Sequence, residues 1–489
     1  MRANLTENAA TRFRVLSDDQ IEEIFLAAQE LLEDPGTRIH HARALRLLEE
    51  AGAKVEGQLA RIPSGLVKEM LASVPPRVAL GDRDGHRSMM LEDHRIYFGT
   101  GSDCPFIVDA VTGERRRWTK KDIADAARVV DACPHLDFHM SLGLTSDVPT
   151  YSYDRHQAAA MLRNTLKPLV LTAMSREGLS DILEMYYLVR GGRDAFEVNP
   201  GFVIYLEPTT PLLHGRAAVD KLIFSAERRI PAIYTPCPIA GATAPVTMAG
   251  ALALAVAEFL GGMVIAQLVR RGAPLIMGGV ISSMDMHSTI LTYGSPELHL
   301  MSAALTDIAH KLQIPMFSTA GCSDSKCLDE QAAVEAALSI MAAGLSGANL
   351  IHDVGFLESA LIGSHEMVVF SDEVIGMVKR FLAGVRVNEA TLALDVIREV
   401  GPGGNFLDHE HTARNMRSEL WFPRLMDRAK WDEWRASGAK TMGDRVRERT
   451  QEILETHEVP PLPDRVDAEI ERILAAADRS AAAEQASLV

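Results

Sequence analysis

The sequence predicts an α/β fold arranged as a (β/α)8 TIM barrel, with a helical layer before it and a helical extension after it. Three observations carry that prediction. Eight short apolar segments recur about 30–43 residues apart, each followed by a stretch of helical periodicity. Several of them end in Gly, Pro, Ser or Thr, as strand-to-helix turns require. No Gly-x-Gly-x-x-Gly follows the first segment, so the usual mark of a doubly wound dinucleotide fold is missing.

In order, residues 1–90 read as an N-terminal helical layer. "SDDQIEEIFLAAQELLED" begins with Ser17 as an N-cap and carries apolar residues at helical spacing, and "HARALRLLEEAGA" and "PSGLVKEMLASVP" follow the same pattern. Residues 91–375 hold the barrel, with strands expected at 96–103, 137–145, 168–174, 201–210, 231–238, 274–281, 315–322 and 349–356. Residues 376–489 read as amphipathic helices, ending in a frayed tail, "RSAAAEQASLV". The run 248–268 is long and apolar enough to cross a bilayer. It contains Glu258, Gln267 and a Gly-Gly pair, however, and leads straight into a strand, so it reads as a buried packing helix.

A net charge of −16 argues against a broad nucleic-acid or anionic-membrane surface and is compatible with a cationic substrate. Five cysteines, at 104, 133, 237, 322 and 327, form no disulfide framework, and the opening "MRANLTENAATRF" lacks the apolar core of a signal peptide. A reducing cytoplasm is the expected compartment.

A barrel keeps its active site at the carboxyl ends of its strands. The candidates there are Tyr97, Asp103, Asn199, Tyr205, Glu207, Tyr234, Phe317, Cys322, Asp324, Lys326, His352, Asp353 and Phe356. Cys237, Cys322 and His352 could supply zinc ligands from different strands, although their spacing does not require it. Cys322 as a nucleophile would need a depressed pKa, for which Lys326 is the nearest cation in sequence. Tyr97, Tyr205, Tyr234, Phe317 and Phe356 fall on or beside strand ends, where aromatic faces bind quaternary ammonium. Filling of the barrel core explains the same residues. "ILTYGSPEL" (290–298) and "GPGGNFLDHEHT" (401–412) are further site-like segments.

Taken together, "TYGSPE", "AGCSDSKCLDEQA", "LSGANLIHDVGFLE" and "VGPGGNFLDHEHT" resemble the trimethylamine methyltransferase superfamily along nearly the whole chain. The resemblance implies a (β/α)8 barrel that moves a methyl group from an amine to the cobalt of a separate corrinoid protein. Archaeal trimethylamine enzymes of the family carry pyrrolysine in a segment similar to "AGCSDSK", and the resemblance lays Cys322 on that position. This chain therefore resembles the non-pyrrolysine members, of which the glycine betaine methyltransferases are the leading reading and proline betaine or carnitine enzymes are neighbours. A quaternary ammonium suits such a site, because it departs as a neutral tertiary amine without a general acid.

On that reading Tyr97, Tyr205 and Phe356 form an aromatic cage and Glu207 or Asp353 adds negative potential. Lys326, with Asn199 or His352, holds the betaine carboxylate. Cys322 has no required chemical role, and no metal is required. The corrinoid belongs to a partner protein rather than to this chain, and a homo-oligomer is expected. Two alternatives stay open: a zinc-dependent corrinoid methyltransferase acting on a thiol or alcohol, and a non-catalytic quaternary-amine binding protein.

Overall fold

The computed structural model describes residues 12–109 and 112–487. The opening segment up to residue 11 thus lies outside the described residues. The centre of the molecule is a curled parallel sheet of seven strands: β1 Tyr97–Thr100, β2 Leu169–Leu171, β3 Phe202–Leu206, β4 Ala232–Tyr234, β5 Leu275–Gly278, β6 Met316–Thr319 and β7 Leu350–Val354. The spatial order is β1-β7-β6-β5-β4-β3-β2, so strands consecutive in sequence pair in space except β1 and β2, which form the two edges, and β7 returns to pair with β1. Seven of the eight expected segments are therefore strands of one sheet.

The eighth expected strand, 137–145, forms no ladder. It makes isolated parallel bridges instead, Phe138 to Gly99 beside β1 and His139 to Leu169 beside β2. A side chain replaces part of the ladder: Met140 N donates to Thr100 Oγ1 at 3.0 Å, and that hydroxyl donates to Met140 O at 2.8 Å. Leu142, at φ +61°, then turns the chain out of an extended path.

Strand alternation divides the side chains into two cores. Val203 and Tyr205 of β3 join an inner cluster with Val170, Ile233, Ile276, Phe317 and Leu350, whereas Phe202, Ile204 and Leu206 face the surrounding helices. The antiparallel pair Val78–Gly81 and Arg87–Leu91 plugs the amino-terminal end of this interior with Val78, Leu80, Met89 and Leu91. The first ninety residues are therefore mixed. Beside the helices Asp18–Glu33, Ala42–Glu50 and Ser64–Leu71 they contain short strands, because the open end of the sheet needs an apolar cover. Ser17 caps the first helix through a capping box with Gln20, as its sequence predicts.

The apolar run forms the helix Met248–Val269, and 89% of its most apolar window is buried inside the protein. It packs against the helices 18–33, 64–71 and 216–228. Beyond the helix His365–Leu382, the short helices between 389 and 436 contain no buried residue. Met442–Thr456 packs back on the helices 120–132 and 365–382, and the last helix runs Asp464–Ser487, so the expected fraying from 479 does not occur over the described residues.

Candidate active site

At the carboxyl ends of the strands lies a cavity of about 380 Å³. Its walls come from Ser102 and Asp103 after β1, Tyr205 and Glu207 at the end of β3, Cys237 after β4, and His352, Asp353 and Phe356 around the end of β7. Leu291 and Tyr293 close it from the hairpin arm that follows β5. Asp103, Glu207 and Asp353 line it, and among the described residues no lysine or arginine does.

The backbone is bent to build this wall. β7 breaks register between Ile351 and Val354, and Asp353 sits there at φ +74°. A non-glycine residue in that region stores about 1–3 kcal/mol of strain, a feature that concentrates at functional sites. Asp353 is pinned by Thr319, whose Oγ1 donates to its Oδ2 at 2.6 Å, and by His352, whose Nε2 lies 3.1 Å from its Oδ1. His352 Nδ1 is 2.8 Å from the Ser318 carbonyl, which can only accept, so that nitrogen carries a proton. The His352 ring stacks on Phe317 at 3.9 Å between centroids. Gly101 leaves no room for a side chain here, since a Cβ would meet Phe356 and Asp353.

Burial sets the protonation of the wall. It pushes Asp103 up to about 6 and raises Asp353 as well, in the second case against the lowering effects of His352 and Thr319. Tyr205 is raised far above an ordinary phenol, chiefly by burial, and its hydroxyl donates to Glu207. Cys237 donates to the same Glu207 oxygen at 3.4 Å. The aromatic faces form two groups: Tyr205 meets Phe317 edge-on at 5.8 Å, and Tyr293 meets Phe356 edge-on at 6.3 Å.

Of the residues singled out in the sequence, Tyr205, Glu207, His352 and Phe356 converge on the cavity, as do Asp103 and Asp353. Three do not, and their roles are corrected. Tyr97 opens β1 rather than ending it, and its hydroxyl accepts from Met90 N at the plugged end of the sheet. Asn199 precedes β3 and donates to the Gly85 carbonyl at 2.6 Å, at that same end. Lys326 is exposed, with its ammonium on the Asp324 carbonyl at 2.9 Å. Tyr234 is also no part of the site. It lies on the outward side of β4, bonded to His214 at 2.6 Å and packed on Gly262 of the apolar helix.

Cys322 is fully buried behind Phe356, with which it makes a backbone bridge, and burial raises its thiol well above the usual range. Lys326 therefore does not activate it. Nor do Cys237, Cys322 and His352 assemble as zinc ligands: among the described residues no group of three His, Cys, Asp or Glu is placed to hold a metal ion. The 401–412 segment is mainly the turn between the exposed helices 394–400 and 410–419 and lines no part of the cavity.

The sequence reading missed Tyr293 as a wall residue, although its segment stood out. What fixes it is Asp324. That carboxylate accepts from Tyr293 N at 2.7 Å, from Gly294 N at 2.9 Å and from the Ser359 hydroxyl at 2.8 Å. Asp324 thus ties the 293 loop to the turn 358–360, three successive residues at positive φ.

A family model described as trimethylamine methyltransferase (MTTB) matches residues 1–482. The trimethylamine methyltransferase MttB of Desulfitobacterium hafniense (strain DSM 10664 / DCB-2) is 31% identical over 460 residues, 94% of this chain and 92% of that protein. A glycine betaine methyltransferase of Desulfitobacterium hafniense (strain Y51) is 31% identical over 468 residues, 95% of this chain and 97% of the relative. The crystal structure of the Methanosarcina barkeri monomethylamine methyltransferase shares the fold at a TM-score of 0.52 and 13% identity, covering 91% of this chain and 88% of that one. Matched over nearly its full length by the family model and by relatives at this identity, the chain belongs to the trimethylamine methyltransferase family.

Proposed function

We propose that this chain is a methyltransferase that takes a methyl group from a quaternary amine, a betaine foremost, and delivers it to the corrinoid cobalt of a separate protein. The observation that carries this reading is the cavity itself, which is acidic and aromatic and, among the described residues, lined by no lysine or arginine. The barrel is completed, on this reading, by 138–140 occupying the eighth strand position between β1 and β2.

Asp103, Glu207 and Asp353 supply negative potential, and Tyr205, Tyr293 and Phe356 offer ring faces, each contributing about 0.5–2 kcal/mol to a bound cation. Cobalt(I), on its partner's corrinoid, supplies the nucleophile that accepts the methyl carbon. The C–N bond breaks with its electron pair staying on nitrogen, and the amine leaves neutral, so no side chain has to protonate it. The chain's own work is orientation: the walls hold the ammonium with one methyl directed outward and keep the other faces dry. Weakly polarised rings suit this better than a tight carboxylate clamp, because the positive charge disperses as the bond breaks.

The test is methylation of a supplied cobalt(I) corrinoid protein over a panel of quaternary and tertiary amines, followed by the change in the cobalt spectrum. Methylation by quaternary amines is the expected result. Turnover of trimethylamine with no quaternary amine accepted, or binding without any methylation, would overturn it.

A further inference from the structure

A second chamber of about 440 Å³ adjoins the acidic one and shares Asp103, Tyr205 and Glu207 with it as a common wall. Beyond that wall the charge reverses. The far side is formed by Thr172, Ala173 and the first turns of the helix Arg216–Arg228, which present Arg216 and Lys221. Lys221 is half-buried, and its ammonium donates to the Ala173 carbonyl rather than to a carboxylate. Among the described residues no carboxylate forms an ion pair with either cation. Partial burial of the Lys221 ammonium without a close counter-charge is costly, and a charge left so at a cavity is a candidate partner for a ligand charge. Burial lowers the Lys221 pKa, while Asp154, Glu207 and Asp103 oppose that shift from a distance.

Resting on the cationic-amine reading of the first chamber, we propose that the second chamber is the anion subsite of a zwitterionic substrate, with Lys221 and Arg216 binding its carboxylate. The substrate then lies across the shared wall, ammonium among the acidic and aromatic residues and carboxylate beyond Glu207. Asp103 and Glu207 face both chambers, but the first adds Asp353 and, among the described residues, no lysine or arginine lines it, whereas the second opposes them with Arg216 and Lys221. Lys326, facing solvent, does not reach it. The shared wall separates the two charges, so the subsite selects a spacer of several methylenes over the single methylene of glycine betaine. Lys221 and Arg216 are thereby the specificity determinants of the site.

Calorimetric titration of the full chain tests this without a corrinoid partner. The ligands are 4-(trimethylammonio)butyrate, its carboxylate-free counterpart butyltrimethylammonium, and glycine betaine. The proteins are the natural sequence, Lys221→Gln and the exposed-site variant Arg216→Gln, which keeps the test open if the half-buried change disturbs folding. Expected are tighter binding of the butyrate than of glycine betaine, and a loss of about tenfold or more in butyrate affinity in Lys221→Gln. Arg216→Gln should give a smaller loss of the same sign, and butyltrimethylammonium should be unchanged in both variants. Equal losses for the charged and carboxylate-free ligands would overturn the subsite, because the two cations would then only balance the acidic wall. No binding of butyltrimethylammonium to the natural sequence would overturn the cationic-amine reading itself, and the subsite with it.

Discussion

At the residue scale, Cys322 shows how position outweighs identity. A thiol fully buried, raised well above its usual pKa and tied by backbone to Phe356 is a packing group in the wall's foundation. Cys322→Ser is expected to keep kcat/KM for methyl transfer within about tenfold of the natural value. A loss beyond about a hundredfold, accompanied by zinc in the natural protein, would restore a thiolate role. The rings beside it carry the opposite expectation. Phe356→Leu keeps most of the buried volume but removes the π face, so binding of tetramethylammonium should weaken by about 2- to 30-fold in calorimetry. Tyr97→Leu, at the plugged end of the sheet, should leave that affinity unchanged.

At the element scale, two contacts decide whether the site is assembled. Asp324 is a positioning residue. It holds the amides of Tyr293 and Gly294 and the Ser359 hydroxyl, and it does not line the cavity. Asp324→Ala should raise KM about tenfold with little change in kcat, and Asp324→Asn, which keeps one accepting oxygen, should recover part of the loss. An equal fall in kcat would contradict a purely positioning role. The second contact sets the apolar helix against the sheet. Gly261 abuts His214 and Gly262 abuts the Tyr234 ring, so neither position has room for a side chain. Gly262→Leu should destabilise the fold by about 1–3 kcal/mol or more in urea unfolding, through overpacking rather than any effect on the site.

At the scale of the whole molecule, buried titratable groups set the pH response. Burial holds His139 at about 3 and both His94 and His214 at about 4, below their unfolded value. Their contribution to stability is complete above the unfolded pKa near 6.5 and is lost as pH falls through the folded values. Asp103, raised to about 6, and Glu258, raised to about 7, act in the other sense: their contribution is present at low pH and is lost as pH rises through those values. Burial lowers His135, His299, His310 and His365 too, and raises Asp181, Asp353, Glu366 and Asp372. Among the described residues seven histidines thus stand against six carboxyls, while carboxyls held low against burial by hydrogen bonds, Asp122 and Asp478 among them, add to the histidines' side. Tm measured by calorimetry should therefore fall as pH drops from about 6.5 toward 4.5, with at most a shallow decline above 7. A Tm that rises toward pH 5 would show the carboxyls to dominate. Affinity for a quaternary ammonium, which does not titrate, should increase through pH 6 as Asp103 ionises.

Much of this architecture is legible in the order of residues, because periodicity is a local property of the chain. Seven strands and the helices between them, the Ser17 cap and the burial of 248–269 follow from the spacing of apolar side chains and from their breakers. Strand-end position in the sequence singles out Tyr205, Glu207, His352 and Phe356, and the fold brings all four to the cavity, since they stand at or just beyond the ends of strands that the pattern reveals. The remainder depended on where along a strand, and on which face, each side chain stands. Tyr97 and Asn199 belong to the right segments but sit at their amino-terminal ends, and Tyr234 differs from the inward Ile233 by one step of the pleat. Tyr293, held in place by a carboxylate 31 positions away, and the opposed charges of two adjoining chambers arise from contacts between distant segments. Local periodicity determines the elements and hence the class of fold. The site is decided by packing, which brings together Asp103, Glu207 and Asp353 from three strand ends and leaves Lys326 in water.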